Sequence, residues 1–398
     1  MVRLLAIPND PTSDYFRSDE EDFLSENNPR TSDGQRFFDS VAFLNWRDDA
    51  DSTYCGVESH ACLKNKAGAL SLMGRLIRGE IPFSSPLFEP IFSHEKDRIV
   101  GIARDYKPDV VRAFNTHFAA ELGCMVSREL DVPLVVSAHD PSRLTSAVGY
   151  ADSLVCESNE LIETCKTRFG VDAEKMTVIH NPINMDVFRS QALYDIGRNV
   201  PKEWADAPYR VLSISRLVYG KNIEGLLEAL SMVKDEFPGM VHYHFGNGSK
   251  EKVEDVEALR KSLGLMDTSF FMGGVRKSQL PAYYSSAHVF VLPTYWEGLS
   301  RSVREALACG TPAITTNYGS TAEIVLNGYN GIGINPKSSD DIARGLREFF
   351  GNASLRECLT RNARPSVLTK YDAVSSMRMH CENYEQVLSK GRKKNERK

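Results

Sequence analysis

The stretch PTYWEGLSRSVREALACGTPAITTN, residues 293–317, decides the fold of this chain. The apolar run Val289–Leu292 ends just before it, and a second apolar run, Ala313–Thr315, lies near its end. Between the two runs the pattern predicts a loop and then a helix from about Ser302 to Ala308, which Gly310 ends. This order of strand, helix and strand is typical of a parallel sheet, because the helix returns the chain to the starting edge of the next strand.

Short apolar runs of the same kind occur along most of the chain. Many are apolar at every position, which is typical of strands that are buried on both faces of a parallel sheet. Amphipathic stretches separate them, so the sequence predicts an α/β protein. The predicted strands are Arg3–Ile7, Val110–Ala113, Leu134–Ser137, Ser153–Cys156, Met176–Ile179, Arg210–Ile214, Val241–Phe245, Ser269–Met272, Val289–Leu292 and Ala313–Thr315.

The chain has 398 residues, which is enough for two or three domains. A stretch without a clean period, residues 181–207, separates the two sets of predicted strands. We therefore predict one domain over residues 1–200 and a second over residues 201–371. Apolar residues three and four positions apart predict a last helix over residues 372–388. Residues 372–398 then comprise this helix and a basic tail.

The composition of the chain argues against several classes of function. The net charge of −5 and the isoelectric point near 6.0 argue against a nucleic-acid partner. The eight cysteines include no CxxC pair, and they are typical of buried thiols in a reducing compartment, so we expect a cytoplasmic protein. No apolar run approaches the ~18 residues of a membrane-spanning helix. The Lys- and Arg-rich tail is either a solvated end or a peripheral contact with anionic lipid headgroups.

Two carboxylates and a run of backbone amides lie where the strand before residue 293 ends. Glu297 lies on the loop, and the N–H groups of Gly298, Leu299 and Ser300 open the helix. Such groups bind anions or sugar oxygens, because the helix dipole points at them. Glu305 follows Glu297 by eight positions. Together these groups suit a ligand that carries both hydroxyls and phosphate.

Other polar motifs follow other predicted strands. Arg216 and Lys221, in SRLVYGK, can clamp a diphosphate and stabilise the charge that grows on a leaving phosphate. Gly246, in HFGNGS, predicts a tight turn next to the ligand, and a plain strand-to-helix turn is the alternative. The third glycine of a dinucleotide-binding motif is missing here. The backbone of Gly273 and Gly274 could lie along a flat base, with the amides of Val275 and Arg276 at the edge of that base, and an ordinary loop is the alternative.

The remaining candidates are two histidines that follow predicted strands and two sequence patterns that resemble metal-binding motifs. His117 and His139 each follow a predicted strand of the first half, so both are candidate ligand contacts or, alternatively, packed residues. Asp49-Ala50-Asp51 lies in a run typical of a solvated turn. His242 and His244 share one face of a predicted strand but lack a third ligand. Neither pattern predicts a metal site.

The segments SRLVYGK, GNG and PTYWEGLS…REALACGTP resemble the motifs of GT-B glycosyltransferases of family 4, which are retaining enzymes. The resemblance is close over residues 205–330 and looser over residues 108–190. It implies two Rossmann-like domains whose parallel sheets face each other across an interdomain cleft, with the last helix crossing back to the first domain. The chain departs from the family in PNDPTSDYFRSDEED, residues 8–22, which lacks the usual glycine pair.

The resemblance also implies roles for the candidate residues. Those at the donor would be Arg216 and Lys221 on the diphosphate, Glu305 on the ribose, and Glu297 with the amides of Gly298, Leu299 and Ser300 on the sugar. His139 would lie beside the reacting carbon. No metal and no other cofactor is expected, since the nucleotide-diphosphate sugar is a co-substrate.

We therefore expect a hexosyltransferase that uses a UDP-sugar, or as a second choice a GDP-sugar. The acceptor would be a glycan, a lipid-linked compound or a small molecule. Two alternatives remain from the sequence. One is a sugar phosphorylase or nucleotide-sugar epimerase on the same fold, and the other is a non-catalytic nucleotide-sugar-binding protein.

Overall fold

The chain divides into two compact units in a computed structural model. One unit comprises Met1–Pro182 with Ala373–Lys398, and the other comprises Ile183–Asp372. The structure describes residues 2–7, 40–45, 52–54, 57–61, 96–114, 118–141, 144–190 and 200–395.

The first boundary between the units lies at Pro182, not at residue 200 as the sequence suggested. The segment that follows belongs to the second unit. The Ile183 N–H donates to the carbonyl of Tyr371 at 2.8 Å, and the Phe188 side chain is fully buried in that unit's core. The sequence shows no sign of this, because the partners of this segment lie far along the chain.

The described part of the first unit contains one sheet of eight strands. These are β1 (Arg3–Ile7), β2 (Ser40–Asn45), β3 (Ser52–Tyr54), β4 (Val57–Ala61), β5 (Val110–Phe114), β6 (Leu134–Ala138), β7 (Ser153–Cys156) and β8 (Met176–Val178). Their order is β3-β4-β2-β1-β5-β6-β7-β8, and every pair except β3–β4 is parallel. Strands β5, β6 and β7 are buried at every position, which confirms the pattern seen in the sequence.

The second unit contains a parallel sheet of six strands. These are β9 (Tyr209–Ile214), β10 (Met240–Phe245), β11 (Ser269–Gly273), β12 (Val289–Leu292), β13 (Ala313–Thr316) and β14 (Gly331–Ile334). Their order is β11-β10-β9-β12-β13-β14. The chain moves outward from β9 to β11 and then returns to the other side of β9. Open α/β sheets bind ligands at such a switch point, so the β9–β12 junction is where a site is expected.

Helices cover both sheets. Those in the described residues are α1 (Lys96–Tyr106), α2 (Phe118–Leu130), α3 (Asn159–Phe169), α4 (Lys202–Ala205), α5 (Ile223–Val233), α6 (Lys250–Ser262), α7 (Leu280–Ser286), α8 (Arg301–Ala308), α9 (Ser339–Gly351), α10 (Ala353–Ala363), α11 (Pro365–Leu368) and α12 (Ala373–Asn395). None of these helices is both long enough and apolar enough to span a bilayer. The side chains of the basic tail beyond residue 390 lie outside the described residues.

Helix α12 packs on the sheet of the first unit through buried polar groups as well as apolar ones. The guanidinium of Arg112, on β5, is buried and donates to the Tyr384 hydroxyl at 3.0 Å and to Ser137 Oγ at 3.0 Å. Ser153 Oγ donates to Asn383 Oδ1 at 2.8 Å. These bonds fix how α12 lies along β5, β6 and β7, because buried polar groups are stable only when paired.

Candidate functional site

The loops at the carboxyl ends of the second sheet are joined to one another in the order of the strands. The bonds are Gly246 N–H to the Gly273 carbonyl at 2.9 Å, Leu217 N–H to the Asn247 carbonyl at 2.9 Å, Thr294 Oγ1 to the Gly220 carbonyl at 2.8 Å, and Ser320 Oγ to the Glu297 carbonyl at 2.8 Å. The loops after β11, β10, β9, β12 and β13 therefore form one connected surface. Each predicted site residue of this unit lies on that surface or on helix α8, directly behind it.

Lys221 and Glu297 form an ion pair on this surface. Lys221 ends a short 3₁₀ turn after β9, and Glu297 lies on the loop after β12, the neighbouring strand. The two side chains are only 18% and 13% exposed. A pair of this kind can offer an N–H donor to phosphate and a carboxylate acceptor to sugar hydroxyls.

Arg216 lies on the same loop as Lys221 and is exposed. Among the described residues, its guanidinium has no ion pair and no hydrogen bond. A guanidinium without a protein partner retains all its donors for an anion, and its planar fork matches phosphate oxygens. Arg216 is therefore suited to the role that the sequence predicts for it.

Glycines allow the loop that carries Arg216 to approach its neighbours. Gly246 has φ +142°, and a Cβ there would lie 1.8 Å from the carbonyl oxygen of Ser215. A Cβ at Gly274 would lie 3.0 Å from Asn247 Nδ2, so this loop packs on the turn after β10. Val275 packs against the core of the unit. The glycines thus lie beside the candidate site, and their contact with a base stays a prediction.

A buried arginine that the sequence analysis missed contacts the backbone at the start of α8. Arg304 donates to the carbonyls of Leu299 and Ser300, each at 3.2 Å, and its guanidinium lies 5.0 Å from the Tyr371 ring. Because a peptide group is planar and trans, the Leu299 carbonyl that points at Arg304 directs the Ser300 N–H the opposite way. In the described chain, the N–H groups of Gly298, Leu299 and Ser300 donate to no acceptor.

Glu305 is the most buried of the predicted acidic residues, with 6% of its side chain exposed. It accepts from the Tyr284 hydroxyl at 3.0 Å and pairs with Arg301 Nε at 3.2 Å. Burial, and then the charge of Glu305, raise the pKa of Tyr284 well above its ordinary value, so this hydroxyl stays a donor. No bond in the described residues joins Glu305 to Glu297, so the two carboxylates have separate partners.

The candidate residue of the first unit is His139, just after β6. Its Nδ1 is bonded to the carboxylate of Glu157, which is buried and follows β7. Asn181 Nδ2 donates to the same carboxylate oxygen, and His180 Nδ1 is bonded to the Glu157 carbonyl at 2.7 Å. The carboxylate fixes the orientation of the His139 ring. Sequence reasoning missed Glu157, although it too is a polar residue directly after a buried strand.

The remaining candidates are two motifs outside the described residues and two histidines in the core of the second unit. His117 and Asp49-Ala50-Asp51 lie outside the described residues. His242 and His244 are both buried on β10, and each is bonded to Ser213 Oγ, at 2.8 Å and 2.7 Å. Both ring nitrogens of His242 are engaged, since its Nδ1 is bonded to Ser269 Oγ at 2.8 Å, whereas Nε2 of the buried His244 has no partner in the described residues. Across the described ranges, no three His, Cys, Asp or Glu side chains are grouped to hold a metal ion.

Comparisons with known proteins follow the same division of the chain. The model for glycosyl transferases group 1 matches residues 199–366, and the model for Glycosyltransferase Family 4 matches residues 60–187. An uncharacterised glycosyltransferase of Methanocaldococcus jannaschii is 27% identical over 314 residues, covering 73% of this chain and 79% of that protein. The glycogen synthase of Mycobacterium tuberculosis is 27% identical over 292 residues, covering 69% and 67%. Among solved structures, HepE of Anabaena in complex with UDP has a TM-score of 0.73 at 19% identity, covering 97% and 100%.

Proposed function

This chain belongs to the family 4 glycosyltransferases (glycosyl transferases group 1) with the GT-B fold, and from that premise we propose that it transfers a sugar, with retention of configuration, from a nucleotide-diphosphate sugar to an acceptor hydroxyl. The observation that carries the proposal is the Lys221–Glu297 pair at the switch point of the second sheet. On the same loop as Lys221, the Arg216 guanidinium has no ion pair or hydrogen bond among the described residues. We favour UDP over GDP because the similar HepE structure contains UDP.

The two cations would hold the diphosphate. As the bond to the donor sugar breaks, negative charge grows on the leaving phosphate, and cations fixed in advance stabilise that charge more than they stabilise the bound substrate. Glu297 keeps the Lys221 ammonium in place before the substrate binds. This pairing limits the reorganisation that the loop would otherwise need during the reaction.

The donor sugar would be held by Glu297 and by the amides of Gly298, Leu299 and Ser300. Sugar hydroxyls donate to a carboxylate, and sugar oxygens accept from unpaired N–H groups. Glu305 would take the ribose hydroxyls, with Tyr284 and Arg301 holding its carboxylate in one orientation. Both carboxylates are thus oriented by neighbouring side chains before the donor binds.

His139 of the first unit would contact the reacting part of the substrate, with Glu157 as its positioning residue. The leaving phosphate itself would take the proton of the acceptor hydroxyl, and the acceptor oxygen would bond to the sugar on the face that the phosphate leaves. No enzymic nucleophile and no metal is then required, because Arg216 and Lys221 supply the positive charge. The acceptor would be a glycan, a lipid-linked compound or a small molecule.

The proposal is tested by removing one charge at a time. In Lys221→Met, we expect calorimetry to show weaker UDP binding, and turnover of UDP-glucose to fall by about 10²-fold or more. Glu305→Gln should weaken UDP binding through the ribose. Lys250→Met is the matched control, because Lys250 is a solvated lysine on α6 of the same unit. Its activity should equal that of the unmodified protein.

Two further measurements separate the finer points of the proposal. Turnover should persist in excess EDTA, and NMR of the first-formed product should show the anomeric configuration of the donor. An inverted product would contradict retention alone. Wild-type UDP affinity and turnover in both Lys221→Met and Glu305→Gln would remove the site assignment.

A further inference from the structure

Four aromatic side chains lie together next to the Lys221–Glu297 pair, and we call Tyr219, Tyr295, Trp296 and Tyr318 the aromatic platform. The ring centroids of Tyr219 and Tyr295 are 5.2 Å apart, and those of Tyr219 and Trp296 are 6.1 Å apart. Tyr295 and Trp296 are nearly parallel, at 29°. The Tyr318 hydroxyl donates to the Tyr295 carbonyl at 3.4 Å. The rings of Tyr219, Tyr295 and Trp296 are therefore in mutual contact, and Tyr318 is bonded to the backbone beside them.

The aromatic platform is open to solvent. Tyr219 is 69% exposed, Trp296 49% and Tyr318 43%. Within the described residues, neither the indole N–H of Trp296 nor the hydroxyl of Tyr219 donates to a protein acceptor. Large exposed aromatic surfaces with unused polar edges are typical of binding sites, because leaving them in water is unfavourable.

Two side chains of the aromatic platform, Tyr295 and Trp296, are held in place before any ligand binds. A Cβ at Gly220 would lie 2.8 Å from the Trp296 ring, so the indole rests directly on the backbone there. The Tyr295 N–H donates to the Gly220 carbonyl at 2.9 Å, and its hydroxyl donates to Asn222 Oδ1 at 2.9 Å. When a ligand stacks on these two rings, the protein would lose little side-chain entropy.

The position of the aromatic platform indicates which part of the substrates it would contact. Tyr219 precedes Lys221 by two residues, and Trp296 comes directly before Glu297. The platform thus belongs to the loops after β9, β12 and β13. Gly274, the predicted contact of the base, follows β11 on the other side of β9. The aromatic platform therefore lies next to the place expected for the sugar end of the donor, and the acceptor must bind at that same end.

We propose that the aromatic platform binds a pyranose ring of a saccharide acceptor. This inference rests on the proposed function and names the substrate class of its acceptor. The C–H bonds on one face of a pyranose carry partial positive charge, and the face of an aromatic ring carries partial negative charge. The sugar hydroxyls at the rim then find the Trp296 N–H and the Tyr219 hydroxyl. A lipid chain would leave both of these polar groups without partners.

The test measures saccharide binding by calorimetry, with maltotriose, cellotriose and chitotriose as probes, both with saturating UDP and without it. We expect Trp296→Ala and Tyr219→Ala each to weaken binding of the preferred trisaccharide about 10-fold. Trp296→Phe should retain most of the affinity, since it retains a flat ring. Tyr329→Ala is the matched control, because Tyr329 is an exposed tyrosine of the same unit outside the platform. UDP affinity should stay unchanged in all four variants.

Three outcomes would overturn the inference. They are binding of no trisaccharide to a protein that binds UDP, equal losses in Trp296→Ala and Tyr329→Ala, and capture by phosphatidylcholine–phosphatidylglycerol vesicles that Trp296→Ala abolishes. The last outcome would assign the platform to a membrane surface. Failure of UDP itself to bind would instead contradict the proposed function, and the arm without nucleotide would still report on the platform.

Discussion

At the scale of single residues, Gly246 is the position where one methyl group should disturb the donor site most. Its φ of +142° suits only glycine, and an added Cβ would overlap the Ser215 carbonyl. We expect Gly246→Ala to lower the free energy of unfolding by about 3 kcal/mol and to weaken UDP binding, because the loop with Arg216 must move. Urea denaturation and calorimetry measure the two effects.

Gly351→Ala is the control for that substitution. A Cβ at Gly351, in the last turn of α9, meets no atom of the described residues within 4 Å. The variant should be as stable as the parent protein or more stable by up to about 1 kcal/mol, since alanine favours helix. Equal stability of Gly246→Ala and Gly351→Ala would show that the turn after β10 is not as tight as described.

Glu157 is the second residue whose removal has a specific expected outcome. In Glu157→Gln the His139 ring loses a charged partner but retains a neutral one of the same shape. We expect turnover of UDP-glucose to fall about 10- to 100-fold, the usual effect of losing a carboxylate that orients a functional histidine. UDP affinity should not change, because the predicted UDP contacts all belong to the second unit.

The exposed Glu163 on α3 provides the comparison, and Glu163→Gln should leave turnover unchanged. A Glu157→Gln protein with full turnover would remove Glu157 as a positioning residue. A parallel loss of UDP affinity would instead indicate a general structural defect, and that result would also contradict the assignment.

At the scale of elements, the two buried histidines of strand β10 should make the free energy of unfolding depend on pH. It buries His242 and His244, and burial lowers the pKa of His244 to about 4 and that of His242 well below 6.5. In the unfolded chain both would titrate near 6.5. Below that pH the unfolded state therefore binds protons that the folded state does not. Stability contributed by these groups is complete above pH ~7 and is lost as the pH falls, at about 1.4 kcal/mol per unit for each histidine.

Urea denaturation at pH 7.5, 6.0 and 5.0 measures this slope. The phenyl ring of His244→Phe can still pack against Phe271. The variant has one titrating histidine fewer on β10, so the slope of the unfolding free energy against pH should be shallower by about 1.4 kcal/mol per pH unit. The comparison uses the slope, since the substitution also changes stability at neutral pH. An unchanged slope would mean that His244 is not kept neutral by burial.

The elements also show which strands a sequence can reveal. Strands such as β6 and β12 are apolar throughout, so their burial on both faces is visible in the sequence. Strand β14, with the sequence GIGI, was not predicted, because two of its four residues have no side chain. Its first glycine is required by packing, since a Cβ at Gly331 would lie 2.2 Å from the Ala313 carbonyl oxygen. That reason depends on a neighbouring strand, which the sequence does not identify.

At the scale of the whole molecule, the sequence predicted which residues follow the strands but not how they pair. Lys221 and Glu297 are 76 positions apart, and they meet because β9 and β12 are neighbours. That adjacency follows from the switch in strand order and has no local signal. The protein partners of Glu305, Tyr284 and Arg301, likewise have no signal in the sequence. Positions after strands were thus predictable, the partners of the side chains were not, and the roles of these residues at a ligand stay predictions.

The division of the chain at Pro182 and Ala373 affects how the protein is made on the ribosome. All of the second unit emerges from the exit tunnel before α12 does. When the last strand of the second unit has emerged, the first unit still lacks the helix that covers Arg112. A premature stop codon just after residue 372 would spare every strand of the second unit. It would leave the earlier-synthesised first unit as the incomplete one.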